Sequence, residues 1–232
     1  MTEQDWLACT DPLEMLAFLL THPDYSERKM RLFAVACYWQ VEEFHWDEPL
    51  FDAEVEAVGR YADGLAGREE LAAQAEAAEA PASAGASGRA REAVVSLVPH
   101  VTQAALAAAG ERAEPTMRAD ATIWAAWATS EAARVPDQER RHQCALLRDL
   151  FNPFRPVTPE PAWSTPQVVA LAQAAYEQRE LPAGTLDTAR LAVLADALEE
   201  AGCDQADLPA HLRGPGPHVR GCWAVDLLLG RG

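Results

Sequence analysis

The stretch SERKMRLFAVACYWQVEE, which runs from Ser26 to Glu43, has a clear helical pattern. Its apolar residues recur at intervals of three and four, the spacing that puts side chains on one face of an α-helix. These positions are Met30, Phe33, Ala34, Cys37, Tyr38 and Val41. Ser26 precedes the periodic run and is a preferred N-cap residue. The stretch therefore predicts a core helix.

Helix signals also occur before this stretch and much later in the chain. CTDPLEMLAFLL offers Thr10 or Asp11 as an N-cap before Pro12, and STPQVVALAQAAYEQREL offers Ser164 or Thr165. Proline at the first helical position is favoured because its missing N–H would have no partner there. No segment has a convincing strand period. The sequence predicts an all-α fold, a multi-helix orthogonal bundle with an extended crossing segment and a flexible loop.

Two segments interrupt the helical pattern. Residues 72–90 are rich in alanine, serine and glycine, and too little apolar surface is available there to offset the entropy of ordering, so we expect a flexible loop. The stretch NPFRPVTPEPAWSTP carries five prolines, which excludes a helix and predicts an extended crossing segment. We expect a single helical unit over residues 1–232, with a candidate internal boundary at 151–165.

The chain is acidic, with a formal net charge of −17. Residues 1–80 carry 18 acidic and 5 basic side chains, so most of the negative charge lies there. Neutralisation of phosphate by lysine and arginine supplies most non-specific affinity for nucleic acid, and anionic lipids attract the same residues. We therefore expect no direct nucleic-acid partner and no membrane partner.

Carboxylates are dense at the end of the stretch Ser26–Glu43 and just after it, at Glu42, Glu43, Asp47 and Glu48. A solvated helix face accounts for such a cluster. The functional alternative is a docking surface for a basic protein partner, because a concentrated negative field steers association. The sequence predicts this surface on charge alone.

The expected compartment is the cytoplasm. No apolar run reaches the roughly 18 residues that cross a bilayer. The first residues, MTEQDWLACTDP, are acidic where a signal peptide is basic. Five cysteines at wide spacing do not form a disulfide framework, and in the cytoplasm we expect them to stay reduced.

The C-terminal stretch HLRGPGPHVRGCWAVDLLLG concentrates histidine and cysteine. Two thiolates and two imidazoles would satisfy tetrahedral zinc, and the candidate ligands are Cys203, His211, His218 and Cys222. The spacing lacks the close cysteine pair that marks most zinc motifs. The alternative is a structural turn whose arginines bind neighbouring carboxylates or carbonyls and whose Cys222 is a buried small residue.

The same stretch offers two further chemistries, a cysteine nucleophile and a phosphate-binding loop. Cys222 lies four residues after His218, and a thiolate near a helix N-terminus can be a nucleophile. Its neighbours Gly221 and Trp223 favour burial instead. Pro215 and Pro217 remove two backbone N–H groups, so the loop is a poor cradle for phosphate.

Several stretches carry a family resemblance, among them RKMRLFAVACYW, LLRDLFNPFRPV, LAVLADALEEAGC and the C-terminal stretch. Together they resemble a family of planctomycete proteins that share an RGPGPHVRGCW motif near the C-terminus. The family has no known activity, so the resemblance implies no cofactor and no catalytic residue. It implies that the N-terminal helices and the C-terminal turn belong to one unit.

The sequence thus leads to three functional hypotheses. The first is a non-enzymatic helical adaptor or regulatory protein that binds a protein partner through the acidic docking surface. The second is a small structural zinc site at the C-terminus. The third is an enzyme that depends on Cys222.

Overall fold

The computed structural model describes residues 1–23, 25–40, 49–79, 136–181 and 184–231. Ten α-helices lie in these residues: α1 (Glu3–Ala8), α2 (Pro12–Leu20), α3 (Glu27–Gln40), α4 (Pro49–Ala62), α5 (Arg68–Glu79), α6 (Pro136–Leu150), α7 (Pro166–Glu177), α8 (Thr188–Glu200), α9 (Asp207–Leu212) and α10 (Trp223–Leu229). Within the same residues there are two isolated β-bridges and no strand. The all-α prediction is confirmed, and the orthogonal arrangement of the helices stays a prediction.

The chain divides into two compact units, Met1–Cys144 and Ala145–Gly232. The division falls inside α6, N-terminal to the candidate boundary at 151–165. The candidate boundary was predicted from the density of prolines, whereas the division between the two units reflects which residues pack against one another. The single helical unit over residues 1–232 stays a prediction.

The predicted loop at 72–90 begins too early. Helix α5 extends to Glu79, so residues 72–79 are helical. Alanine and glutamate are strong helix formers. Glu69 and Glu70 in the first turn also complement the helix dipole. Residues 80–90 lie outside the described part of the chain.

Helix α3 buries the predicted face. Met30, Phe33, Ala34, Cys37 and Tyr38 are all buried, and Val41 lies outside the described residues. Leu32 and Ala36 are buried too, so the buried face of α3 is wider than the face predicted from the spacing of its apolar residues. Among the described residues, no helix is both long enough and apolar enough to span a membrane.

Helices α7, α8, α9 and α10 build a hydrophobic core in the C-terminal unit. Helix α7 begins at the predicted Pro166, and of the two N-cap candidates it is Thr165 whose hydroxyl accepts the Val168 N–H, at 3.2 Å. The proline-rich segment before it is not helical. Its Phe151 and Trp163 are both buried, which anchors the segment at each end.

A turn over residues 213–222 connects α9 to α10. Arg213 extends from it to α8, where its guanidinium contacts Glu199 at 2.6 and 2.8 Å and Asp196 at 2.6 Å. This is the carboxylate contact that the structural-turn interpretation predicts. Gly216 has a φ of +79°. The turn thus combines an anchored arginine with a backbone conformation suited to glycine.

Candidate metal site

Four potential ligands meet where this turn passes the end of α6. Asp149 lies in the last turn of α6, His211 in α9, His218 in the turn, and Cys222 immediately before α10. One ligand atom from each residue can be chosen so that all four lie within 4.8 Å of one another. All four residues belong to the C-terminal unit.

The separations resemble those around a tetrahedral ion. Asp149 Oδ1 lies 2.7 Å from His218 Nδ1 and 3.1 Å from His211 Nε2. His211 Nε2 lies 3.3 Å from Cys222 Sγ. Zinc–ligand bonds of about 2.0 to 2.3 Å imply tetrahedral ligand–ligand separations of roughly 3.3 to 3.8 Å. Asp149 Oδ1 would have to move slightly away from the two imidazoles, and the wider separations, of up to 4.8 Å, would have to shorten, to produce a coordination sphere.

Hydrogen bonds from outside the group aim two of the ligands inward. His218 Nε2 donates to the Gly214 carbonyl at 3.2 Å, which leaves Nδ1 directed at the other ligands. Asp149 Oδ2 accepts the Val219 N–H at 2.9 Å, which leaves Oδ1 directed at His211 and His218. Metal ligands are characteristically oriented in this way, by partners for the ligand's second polar atom.

The group is largely closed to solvent. Asp149, His218 and Cys222 are buried, and His211 is partly exposed. The ring of Trp223 covers part of His211, with the ring centroids 4.8 Å apart. Buried charges require partners, so this concentration of ionisable groups must be satisfied internally or by an ion.

The pKa values reflect this burial. Burial acts to raise the pKa of Asp149, but hydrogen bonds from His211 and His218 and their charge outweigh it, so the pKa is lowered. Burial acts to lower the pKa of His218, and the Asp149 carboxylate more than compensates, so the pKa is raised. Burial, followed by the Asp149 charge, raises the pKa of Cys222 well above its ordinary value.

The raised pKa and the geometry do not suit a nucleophilic Cys222. In a cysteine nucleophile relay, one imidazole nitrogen contacts the thiol and the other contacts the carboxylate. Here the predicted partner His218 bonds Asp149 and Gly214. His211 contacts both Cys222 and Asp149 through the same Nε2. Convergence of several atoms on one point is typical of ligands around a cation.

Three of the four sequence-predicted metal ligands are therefore brought together: His211, His218 and Cys222. Cys203 is not in the group. Its thiol is partly exposed and lies 3.9 Å from the Gln205 carbonyl oxygen. Burial of this thiol raises its pKa. The proposed docking residues Glu42, Glu43, Asp47 and Glu48 lie outside the described residues.

Sequence reasoning missed Asp149. It lies 62 residues before His211 and 69 before His218, so no spacing rule connects them. The available signal was its position among Leu146, Leu147 and Leu150, which are all buried. A carboxylate on the buried face of an amphipathic helix requires a partner.

Comparison with protein-family models, curated proteins and solved structures finds no match to this chain. The resemblance to the planctomycete family stays a prediction. Any functional conclusion therefore depends on the residues themselves.

Proposed function

We propose that the C-terminal unit binds one zinc ion through Asp149, His211, His218 and Cys222, and that the ion is structural. The observation that carries this proposal is the convergence of four ligand atoms within 4.8 Å in a largely buried site. This replaces Cys203 of the sequence prediction with Asp149.

The ligand chemistry favours zinc over other common ions. A thiolate with two imidazoles suits zinc, whereas magnesium and calcium take oxygen ligands almost exclusively. Four protein ligands fill a tetrahedral sphere. Catalytic zinc sites usually keep one position for water or substrate, so the full set favours a structural role.

An ion here would join parts of the chain that are distant in sequence. The ligands come from α6, from α9, and from the middle and the last residue of the turn before α10. Binding would require loss of the Cys222 thiol proton and of any proton on His218 Nδ1 or His211 Nε2, and the charge of the ion would replace them. The free energy of binding then adds to the stability of the folded unit.

The test is the metal content of the purified full-length chain. After exposure to zinc and removal of free metal, we expect one zinc per chain by elemental analysis. Asp149→Asn and Cys222→Ser should reduce the bound zinc to well below one per chain. Cys203→Ser and Asp207→Asn are matched controls, because Cys203 lies outside the group and Asp207 is an exposed partner of Arg155.

Two results would refute this proposal. One is a wild-type chain that retains no stoichiometric zinc. The other is equal loss of zinc from Cys203→Ser and Cys222→Ser, which would mean that the ligand set is not the one proposed.

The adaptor hypothesis stays a prediction from charge. Its residues Glu42, Glu43, Asp47 and Glu48 are not described, so no structural observation supports or opposes it. We also propose that the protein is located in the cytoplasm. All five cysteines are free thiols, which suits a reducing compartment.

A further inference from the structure

The four ligands of the proposed zinc site differ in their access to solvent. The side chains of Asp149 and His218 are each 2% exposed, and Cys222 is 0% exposed. The His211 side chain is 20% exposed. Within this group, the side that carries His211 is therefore the one that faces solvent.

The ligands also differ in how firmly they are held. The second polar atoms of Asp149 and His218 are fixed by backbone hydrogen bonds. His211 Nδ1 has no hydrogen-bond partner among residues 136–181 and 184–231. Helix α9, which carries His211, has six residues and no side-chain N-cap hydrogen bond. The ring of His211 instead packs against Trp223, at 4.8 Å between centroids.

We infer that His211 is the exchangeable ligand and that the metal ion enters and leaves the site past it, restrained by Trp223. This inference rests on the proposed zinc site. In the exchange step the bond between zinc and His211 Nε2 breaks and a bond to a water oxygen forms. Asp149, His218 and Cys222 keep the ion during this step, and no electron is transferred.

The first experiment measures the rate of zinc release from the loaded full-length chain to an excess of a chromophoric chelator. His211→Ala should still bind one zinc but release it about tenfold faster or more, the scale typical of a weakened metal site. Trp223→Ala retains all four ligands and should also release zinc about tenfold faster, because His211 loses its restraint. Trp223→Phe keeps an aromatic ring and should stay close to wild type.

The second experiment uses cobalt(II) as a spectroscopic substitute for zinc. The cobalt form of His211→Ala should keep the thiolate-to-cobalt charge-transfer band and show altered visible bands. Added imidazole should restore those visible bands, because the vacated position is open to solvent. In His218→Ala the vacated position is buried, so imidazole should have no such effect. Circular dichroism melts establish that each variant is folded.

The outcomes separate this inference from the proposed function. A wild-type chain without stoichiometric zinc overturns both. If the wild type binds zinc and Trp223→Ala releases it at the wild-type rate, the inference is wrong and the zinc site stands. The same holds if imidazole restores His218→Ala as well as His211→Ala. If His211→Ala does not fold, the comparison of Trp223→Ala with Trp223→Phe decides.

Discussion

At the scale of single residues, Gly216 shows how one backbone conformation positions a ligand. Its φ is +79°, a backbone angle that residues other than glycine rarely adopt. A Cβ at this position would also lie 2.9 Å from the backbone nitrogen of His218. His218 therefore occupies its place in the group because residue 216 has no side chain.

We expect Gly216→Ala to destabilise the protein more than Gly184→Ala. Gly184 has a φ of +68°, but its Cβ would meet nothing within 4 Å. Both replacements incur the cost of positive φ, roughly 1 to 2 kcal/mol. Gly216→Ala adds the clash with His218, about 1 to 3 kcal/mol more. Urea unfolding of both variants measures the difference, and equal losses would contradict this account.

At the scale of helices, Tyr176 joins α7 to α10. Its hydroxyl donates to Asp226 Oδ1 at 2.8 Å and accepts the Gly221 N–H at 3.1 Å. Tyr176 and Asp226 are both buried. Leaving a buried polar group without its partner lowers the stability of the protein. These two bonds therefore hold the first turn of α10 in place, together with Cys222, which directly precedes it.

We expect Tyr176→Phe to lower the free energy of unfolding by about 1 to 3 kcal/mol, because Asp226 and the Gly221 N–H each lose a buried partner. Tyr61→Phe is the matched control, since its ring keeps the contact with the Arg31 guanidinium. A double-mutant cycle with Asp226→Ala, which removes both acceptor oxygens, measures the coupling. Additive losses in that cycle would show that the two side chains do not interact.

Helix positions were the part of the fold most open to prediction from sequence. Apolar period and proline placement located α3 and the start of α7, because both depend on residues within a few positions of each other. The choice of Thr165 over Ser164 as N-cap needed the backbone. The end of α5 was missed because its alanine-rich composition favours a helix as well as a loop.

At the scale of the whole molecule, all four proposed ligands lie within the unit Ala145–Gly232. We therefore expect zinc to slow amide hydrogen exchange mainly in that unit, with large effects at Val219 and Gly221 beside the ligands.

Zinc binding adds RT ln(1 + [Zn]/Kd) to the free energy of unfolding, about 2.7 kcal/mol when the zinc concentration is a hundred times Kd. Mass spectrometry of the full chain with zinc or with a chelator measures the exchange. Equal protection in residues 1–79 would contradict the expectation.

Local periodicity and composition were sufficient to predict the helical class, the turn and three of the four candidate ligands that converge. Only the packing of the folded chain places Asp149, and not Cys203, beside His211, His218 and Cys222. The difference lies in the distance along the chain over which each feature is set. Helix formation depends on neighbours along the chain, whereas a ligand set forms wherever packing brings distant backbone segments together.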